Sequence, residues 1–84
     1  METIKNKNIL IVGATGGIGS ELVKLLKSSG ANLFITGRNE NKLNQIALQH
    51  QIEESCCYAG DLTQKDNIIQ LNQKYFNRYT TIDV

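Results

Sequence analysis

The stretch ILIVGATGGIGSELV, residues 9–23, places a short apolar run directly before four glycines that fall within seven positions. An unbroken apolar run of this length is typical of a strand that is covered on both faces in a parallel sheet. From Ile18 as far as Gly30, apolar residues recur every three or four positions, which predicts an amphipathic helix. The stretch therefore predicts a strand that enters a helix through a glycine-rich loop.

The glycines of this loop point to an anion. A strand that enters a helix in this way brings backbone N–H groups to the helix N-terminus, where the positive end of the helix dipole also lies. Gly13 is expected to form the tight turn, and Gly19 to let the helix pack closely against the strand. Gly16 or Gly17 would let a pyrophosphate approach the backbone. The plainer alternative is a helix entry that needs only a tight turn.

The chain continues to alternate between strand and helix patterns. Residues 31–36 (ANLFIT) predict a second strand, after which Asn39 can cap a second helix. Residues 54–59 (ESCCYA) predict a weaker third strand. Thr63, with Asp66 three residues later, resembles a capping box before a third helix.

A further β-like run, residues 80–84 (TTIDV), follows the third helix. The order β-α-β-α-β-α-β with short connections predicts an α/β fold, namely a Rossmann-like, doubly wound parallel sheet over residues 1–84 that is truncated in its fourth strand. Right-handed crossovers place the first two helices on one face and the third on the other. Later helices would normally complete that second face. Ile11 and Phe34 are therefore expected to be only partly covered, and the chain to self-associate.

Composition excludes several classes of protein. The 84 residues are 40% hydrophobic and 20% charged, with a formal net charge of +1. A near-neutral chain has no electrostatic footprint for nucleic acid or for an anionic membrane surface. No segment approaches the roughly 20 apolar residues that span a bilayer. Residues 1–8 (METIKNKN) lack the apolar region of a signal peptide, so a cytoplasmic protein is expected.

The two cysteines, Cys56 and Cys57, are adjacent, and no other residues provide metal-ligand spacing. A disulfide between neighbours is strained. We therefore predict that both are reduced and act as small apolar residues in a strand, with no metal site.

The spacing of the glycines, GxxxGxG for Gly13, Gly17 and Gly19, resembles that of the short-chain dehydrogenase/reductase family. The resemblance covers nearly the whole chain. The segments GRNENKL (37–43) and GDLT (60–63) fall where the family places its cofactor-selecting loop and its adenine-binding loop.

The match to the family pattern differs at two points. Val12 stands where the family usually has Thr or Ser before the first glycine. Gly13, Gly16 and Gly19 also satisfy GxxGxxG, the spacing of the family's extended, epimerase-like branch. The segment after the second strand looks more like the compact reductase branch.

The end of the second predicted strand bears on the choice of cofactor. Sites that prefer NAD usually carry Asp or Glu about 20 residues beyond the glycines, where it bonds the ribose 2′-hydroxyl. Gly37 stands where the resemblance would place that carboxylate, and Arg38 follows it. A guanidinium can meet a 2′-phosphate with a fixed fork of donors, so NADP is expected rather than NAD. Thr36 and Asn39 could add neutral donors.

The resemblance also implies roles for Asp61 and Leu62, as an acceptor for the adenine amine and a side chain that lines the adenine ring. The alternative for Asp61 is that it begins the turn before the Thr63 cap. The complete set of expected cofactor-binding residues is Gly13, Thr15, Gly16, Gly17, Ile18, Gly19, Arg38, Asn39, Asp61 and Leu62.

Catalysis in the family, as the resemblance implies, needs a Tyr-x-x-x-Lys pair. Four residues after Tyr58, Tyr75 and Tyr79 stand Leu62, Tyr79 and Asp83, so no catalytic residue is predicted here. The chain is therefore expected to be the N-terminal, cofactor-binding fragment of an NADP-dependent oxidoreductase, inactive alone. The alternatives are a non-catalytic nucleotide-binding module and the start of an extended-branch epimerase or dehydratase.

Overall fold

The computed structural model describes residues 4–84, which form a parallel three-stranded sheet with three α-helices. The strands, in their order across the sheet, are β1 (Asn8–Val12), β2 (Asn32–Gly37) and β3 (Cys57–Ala59). The helices are α1 (Gly17–Ser28), α2 (Glu40–Gln49) and α3 (Lys65–Arg78). The predicted Rossmann-like parallel sheet is confirmed.

Hydrogen bonds of nearby residues define the beginning of α2 and the end of α1. The Asn39 side chain accepts a hydrogen bond from the backbone N–H of Lys42 at 3.0 Å, so the predicted cap of α2 is confirmed. After α1, Gly30 adopts a positive φ of 83°. The N–H of Ala31 then donates to the carbonyl of Leu26, which forms the hydrogen-bonded ending expected of a helix that stops at glycine.

The core is built around β2, in which Leu33 to Gly37 are all buried. The ring of Phe34 contacts Tyr75 of α3, with 5.2 Å between ring centroids. Side chains alternate along a strand, so Leu33 and Ile35 face the opposite side. Helices α1 and α2, which contact β2, lie on that side because both crossovers run the same way across the sheet.

The expectation that Ile11 and Phe34 are only partly covered is wrong. Ile11 is 6% exposed and Phe34 is fully buried. The Tyr75 ring covers Phe34, and Ile11 lies on the side of the sheet that α1 covers. The exposed apolar residue of the sheet is Val12, at the end of β1, which is 63% exposed to solvent.

Two predicted local structures are also corrected. Residues Glu54–Cys56 form a 3₁₀ turn, and the strand is confined to β3. The capping box at Thr63 does not form, because α3 begins after Gln64, which makes no side-chain cap. The Thr63 hydroxyl instead donates to Asp61, whose carboxylate lies only two residues away.

Residues 80–84, predicted to begin a fourth strand, are irregular. They nevertheless lie along β1, on the edge that β2 does not use. The N–H of Leu10 donates to the carbonyl of Val84 at 3.0 Å, and the N–H of Asp83 donates to the carbonyl of Asn8 at 2.8 Å. This segment therefore runs where a fourth strand beside β1 was expected.

Replacing Phe34 with Ala should lower the free energy of unfolding by about 3–5 kcal/mol, because it leaves a cavity between the sheet and α3. Urea titration followed by circular dichroism measures the loss.

Phe76→Ala is the matched control, since Phe76 is 52% exposed and should lose much less. An equal loss in both variants would contradict the assigned core.

Candidate functional site

A cleft of about 500 Å³ lies at the carboxyl ends of the strands. Three segments form it: the loop between β1 and α1, the end of β2, and the loop between β3 and α3. In open parallel sheets ligands bind at this end of the strands. The residues that line the cleft are Val12, Gly13, Thr15, Gly16, Thr36, Gly37, Arg38, Gly60, Asp61, Leu62 and Thr63.

The loop between β1 and α1 is hydrogen-bonded to the end of β2. The backbone N–H groups of Gly13 and Ala14 both donate to the carbonyl of Thr36, at 3.0 Å each. Gly13 has a φ of +78°, a conformation that L side chains rarely adopt, so glycine is required at this turn. The turn leads to Gly16, the residue that precedes α1.

The other three glycines of the loop differ in how much room they leave. A Cβ atom on Gly19 would lie 2.9 Å from the Cα of Ala14 and would overlap the carbonyl of Gly13. The close contact predicted at Gly19 is thus made with the turn that follows β1. A Cβ on Gly16 would make an ordinary contact of 3.6 Å, and one on Gly17 would meet nothing within 4 Å. Packing among residues 4–84 therefore does not require glycine at either of these two positions.

Gly37, at the end of β2, is buried against Thr15. A Cβ on Gly37 would lie 2.8 Å from the Cγ2 atom of Thr15. An acidic side chain at this position would therefore have to displace Thr15. Next to it, Thr36 is fully buried, and its hydroxyl has no hydrogen-bond partner within residues 4–84.

Arg38 and Asp61 meet across the cleft. A guanidinium nitrogen of Arg38 (Nη2) lies 3.1 Å from Oδ2 of Asp61, and the Arg38 side chain is 78% exposed. The other carboxylate oxygen, Oδ1, accepts hydrogen bonds from the N–H and the hydroxyl of Thr63, at 2.9 and 2.7 Å. These bonds, with a smaller contribution from Arg38, hold the pKa of Asp61 below its usual range, so its carboxylate is ionised at neutral pH.

A second layer of side chains supports the Asp61 loop. The side-chain amide of Asn67 donates to the carbonyl of Asp61 at 2.9 Å. Its side-chain oxygen in turn accepts from the Tyr58 hydroxyl at 2.9 Å. Sequence analysis missed these supporting residues. The sequence did indicate the turn that Asp61 begins before Thr63, and the hydrogen bonds from Thr63 to the Asp61 carboxylate form this turn.

The structure brings most of the predicted site residues together, but not all. Gly13, Thr15, Gly16, Arg38, Asp61 and Leu62 line the cleft, whereas Gly17, Ile18, Gly19 and Asn39 do not. The Ile18 side chain is 83% exposed, on an apolar surface of α1 that includes Leu22 and Leu25. The side-chain oxygen of Asn39 is occupied by the cap of α2.

The two cysteines lie in the core, and the Tyr79 side chain packs against it. Cys56 and Cys57 are buried free thiols, as predicted, although only Cys57 lies in a strand. Burial raises the pKa of Cys57 to about 11, and burial likewise raises the pKa of Tyr79. No group of three or more possible metal ligands occurs among residues 4–84. No helix in the same range is both long and apolar enough to cross a membrane.

These features define an α/β protein of the Rossmann type with a cleft at its strand ends. The family model described as short chain dehydrogenase matches residues 7–84. The chain belongs to this family of oxidoreductases, which bind a nicotinamide dinucleotide.

Individual proteins similar to this chain agree with the family assignment. An uncharacterized oxidoreductase of Staphylococcus epidermidis is 34% identical over 84 residues, which are 100% of this chain and 36% of that protein. A fatty acyl-CoA reductase of Acinetobacter baylyi is 30% identical, over 98% of this chain and 28% of that protein. A solved short chain dehydrogenase of Shigella flexneri, complexed with NADP, superposes with a TM-score of 0.83 at 31% identity, over 98% of this chain and 36% of that chain. The chain thus spans about a third of the length of these relatives.

Replacing Gly19 with Ala should lower the free energy of unfolding by about 1–3 kcal/mol, because the new methyl group overlaps the Gly13 turn. Thermal or urea unfolding measures this change.

Gly17→Ala is the control, because the same methyl group there meets open space and alanine favours a helix. If Gly19→Ala proved as stable as Gly17→Ala, the close contact of α1 with the turn would be refuted.

Proposed function

We propose that residues 1–84 are the partial NADP-binding Rossmann domain of a longer oxidoreductase that transfers hydride between NADP and a carbonyl or alcohol substrate. The observation that carries this proposal is the end of β2, where Arg38 lines the cleft and where a side chain on Gly37 would have to displace Thr15. The NADP complex of the related Shigella flexneri structure supports the same cofactor. Bound NADP would supply the hydride chemistry.

The glycine loop would receive the pyrophosphate. Packing among residues 4–84 does not require glycine at Gly16 or Gly17, and neither residue has a positive φ. Close approach of a ligand to the backbone therefore accounts for these two glycines better than a tight turn alone. The N–H groups of the first three residues of α1 have no partner within the helix and would donate to the phosphate oxygens, whereas the N–H of Ser20 already donates to the carbonyl of Gly16.

The 2′-phosphate would be recognised by Arg38. The side chain is open to solvent, so the fork of the guanidinium can reach a phosphate at the mouth of the cleft. Thr15 packs against Gly37, so the side chain of an NAD-selecting carboxylate there would have to displace it. The end of β2 thus provides a cation, Arg38, that attracts the 2′-phosphate. It carries Gly37 at the position where a carboxylate would repel that phosphate.

The adenine ring would lie against Leu62, next to Asp61. Oδ2 of Asp61 has one hydrogen bond, from Arg38, and can accept a second from the exocyclic amine of adenine. The contacts of Asn67 and Thr63 keep the carboxylate in place for this role.

The proton transfer that accompanies hydride transfer would come from the rest of the longer protein. Within this sequence no tyrosine is followed four positions later by lysine. The chain spans 36% of the Staphylococcus epidermidis relative, which leaves ample length for such residues there. We also propose that the protein is cytoplasmic and has no nucleic-acid partner; the formal net charge of +1 supports the second of these points.

Replacing Arg38 with Ala should weaken the binding of NADP by about 1.5–3 kcal/mol, roughly ten- to hundred-fold, because one charge-assisted contact to the 2′-phosphate is lost. NAD, which lacks that phosphate, should bind almost unchanged. Calorimetric titration of the chain with each cofactor measures both affinities.

The matched control is Arg78→Ala. Arg78 stacks on the Tyr79 ring at 4.7 Å, and it does not line the cleft. Equal losses for NADP and NAD in Arg38→Ala would overturn the assignment of Arg38 to the phosphate.

The exposed apolar stripe on α1 is the proposed surface for self-association. Ile18, Leu22 and Leu25, at helical spacing, are 83%, 41% and 51% exposed. Sedimentation of the chain should show reversible association that weakens when Ile18 and Leu25 are replaced by Ser. Leu48→Ser on α2, where Leu48 is 82% exposed, should have no effect. A monomer at every concentration would refute the proposal.

A further inference from the structure

Arg38 and Asp61, which the proposed function assigns to two different parts of one nucleotide, are bound to each other. We propose that Asp61 is a specificity-determining residue that limits the preference for a 2′-phosphate by competing for Arg38. This inference rests on the proposed function, because it concerns the same site. It concerns the strength of NADP selection rather than its existence.

The two partners of this ion pair are not equally free to move. Asp61 is fixed, since Thr63 donates two hydrogen bonds to its carboxylate and Asn67 donates one to its carbonyl. Arg38 is 78% exposed, whereas the Asp61 side chain is 33% exposed. The guanidinium is therefore the mobile partner, drawn toward a carboxylate that is already in place.

This arrangement affects the two cofactors differently. A 2′-phosphate must take the guanidinium from Asp61 or share it, and its own negative charge then lies near an ionised carboxylate. NAD has only a hydroxyl at this position and leaves the ion pair intact. The pair thus disfavours the phosphorylated cofactor relative to the unphosphorylated one, although Arg38 still favours it overall.

Asp61 could instead act in the opposite direction, by aiming Arg38 at the phosphate. The guanidinium has five N–H donors, and Asp61 uses one of them. The geometry favours competition, because the single contact at 3.1 Å does not hold the exposed guanidinium in one orientation, while the Asp61 carboxylate offsets part of its positive charge. The two roles predict opposite changes when the carboxylate charge is removed.

The test is Asp61→Asn, which keeps the shape of the side chain and an oxygen that can accept from Thr63. The chain is titrated with adenosine 2′,5′-bisphosphate and with adenosine 5′-monophosphate, and NMR chemical shifts give both affinities. These probes carry the adenosine half of NADP and NAD. We expect the preference for the bisphosphate to rise about two- to five-fold, the range set by solvent-exposed ion pairs.

Two controls accompany this variant. In an Arg38→Ala background, Asp61→Asn should raise the preference less, because no guanidinium remains to be released. Asp66→Asn removes a negative charge from the first turn of α3, outside the cleft, and should leave the preference unchanged.

The outcomes separate this inference from the proposed function. A fall in the preference for the bisphosphate would show that Asp61 positions Arg38. An equal loss of affinity for both probes would show that Asp61 contacts only the adenine. Either result overturns the inference and leaves the proposed function standing. If the unmodified chain bound neither probe, the proposed function would fail, and this inference would fail with it.

Discussion

The geometry of the site depends on the backbone carbonyl group of Thr36. It accepts hydrogen bonds from the N–H groups of Gly13 and Ala14, so the end of β2 fixes the turn that follows β1. That turn directs the chain into α1, and Gly19 packs closely against it. The position of the helix N-terminus relative to Arg38 therefore depends on these two bonds and on the positive φ of Gly13.

The chemistry of the cleft is defined as much by small residues as by charged ones. A side chain on Gly37 would have to displace Thr15, so the packing at the end of β2 disfavours a carboxylate there. The cation that remains there, Arg38, is shared with Asp61. These two features are the basis of the proposals that the site prefers a 2′-phosphate and that Asp61 limits this preference.

Apolar surface is unevenly distributed over residues 4–84. β2 is buried from both sides, by α1 and α2 on one face and by Tyr75 of α3 on the other. β1 and α1 are less well covered, as the exposure of Val12, Ile18 and Leu25 shows. The chain covers 36% of the Staphylococcus epidermidis relative, which is therefore almost three times as long.

The sequence by itself determined the alternation of strands and helices, the glycine turn, the Asn39 cap and the family. These features depend on local periodicity, on capping and on the conformational freedom of glycine, which a single segment contains. Local signals failed at Thr63, because its hydroxyl had two possible partners and the Asp61 carboxylate was nearer than the helix. Only the tertiary structure decided that Thr15 blocks Gly37 and that Arg38 pairs with Asp61, since each contact joins residues more than twenty positions apart through the register of parallel strands.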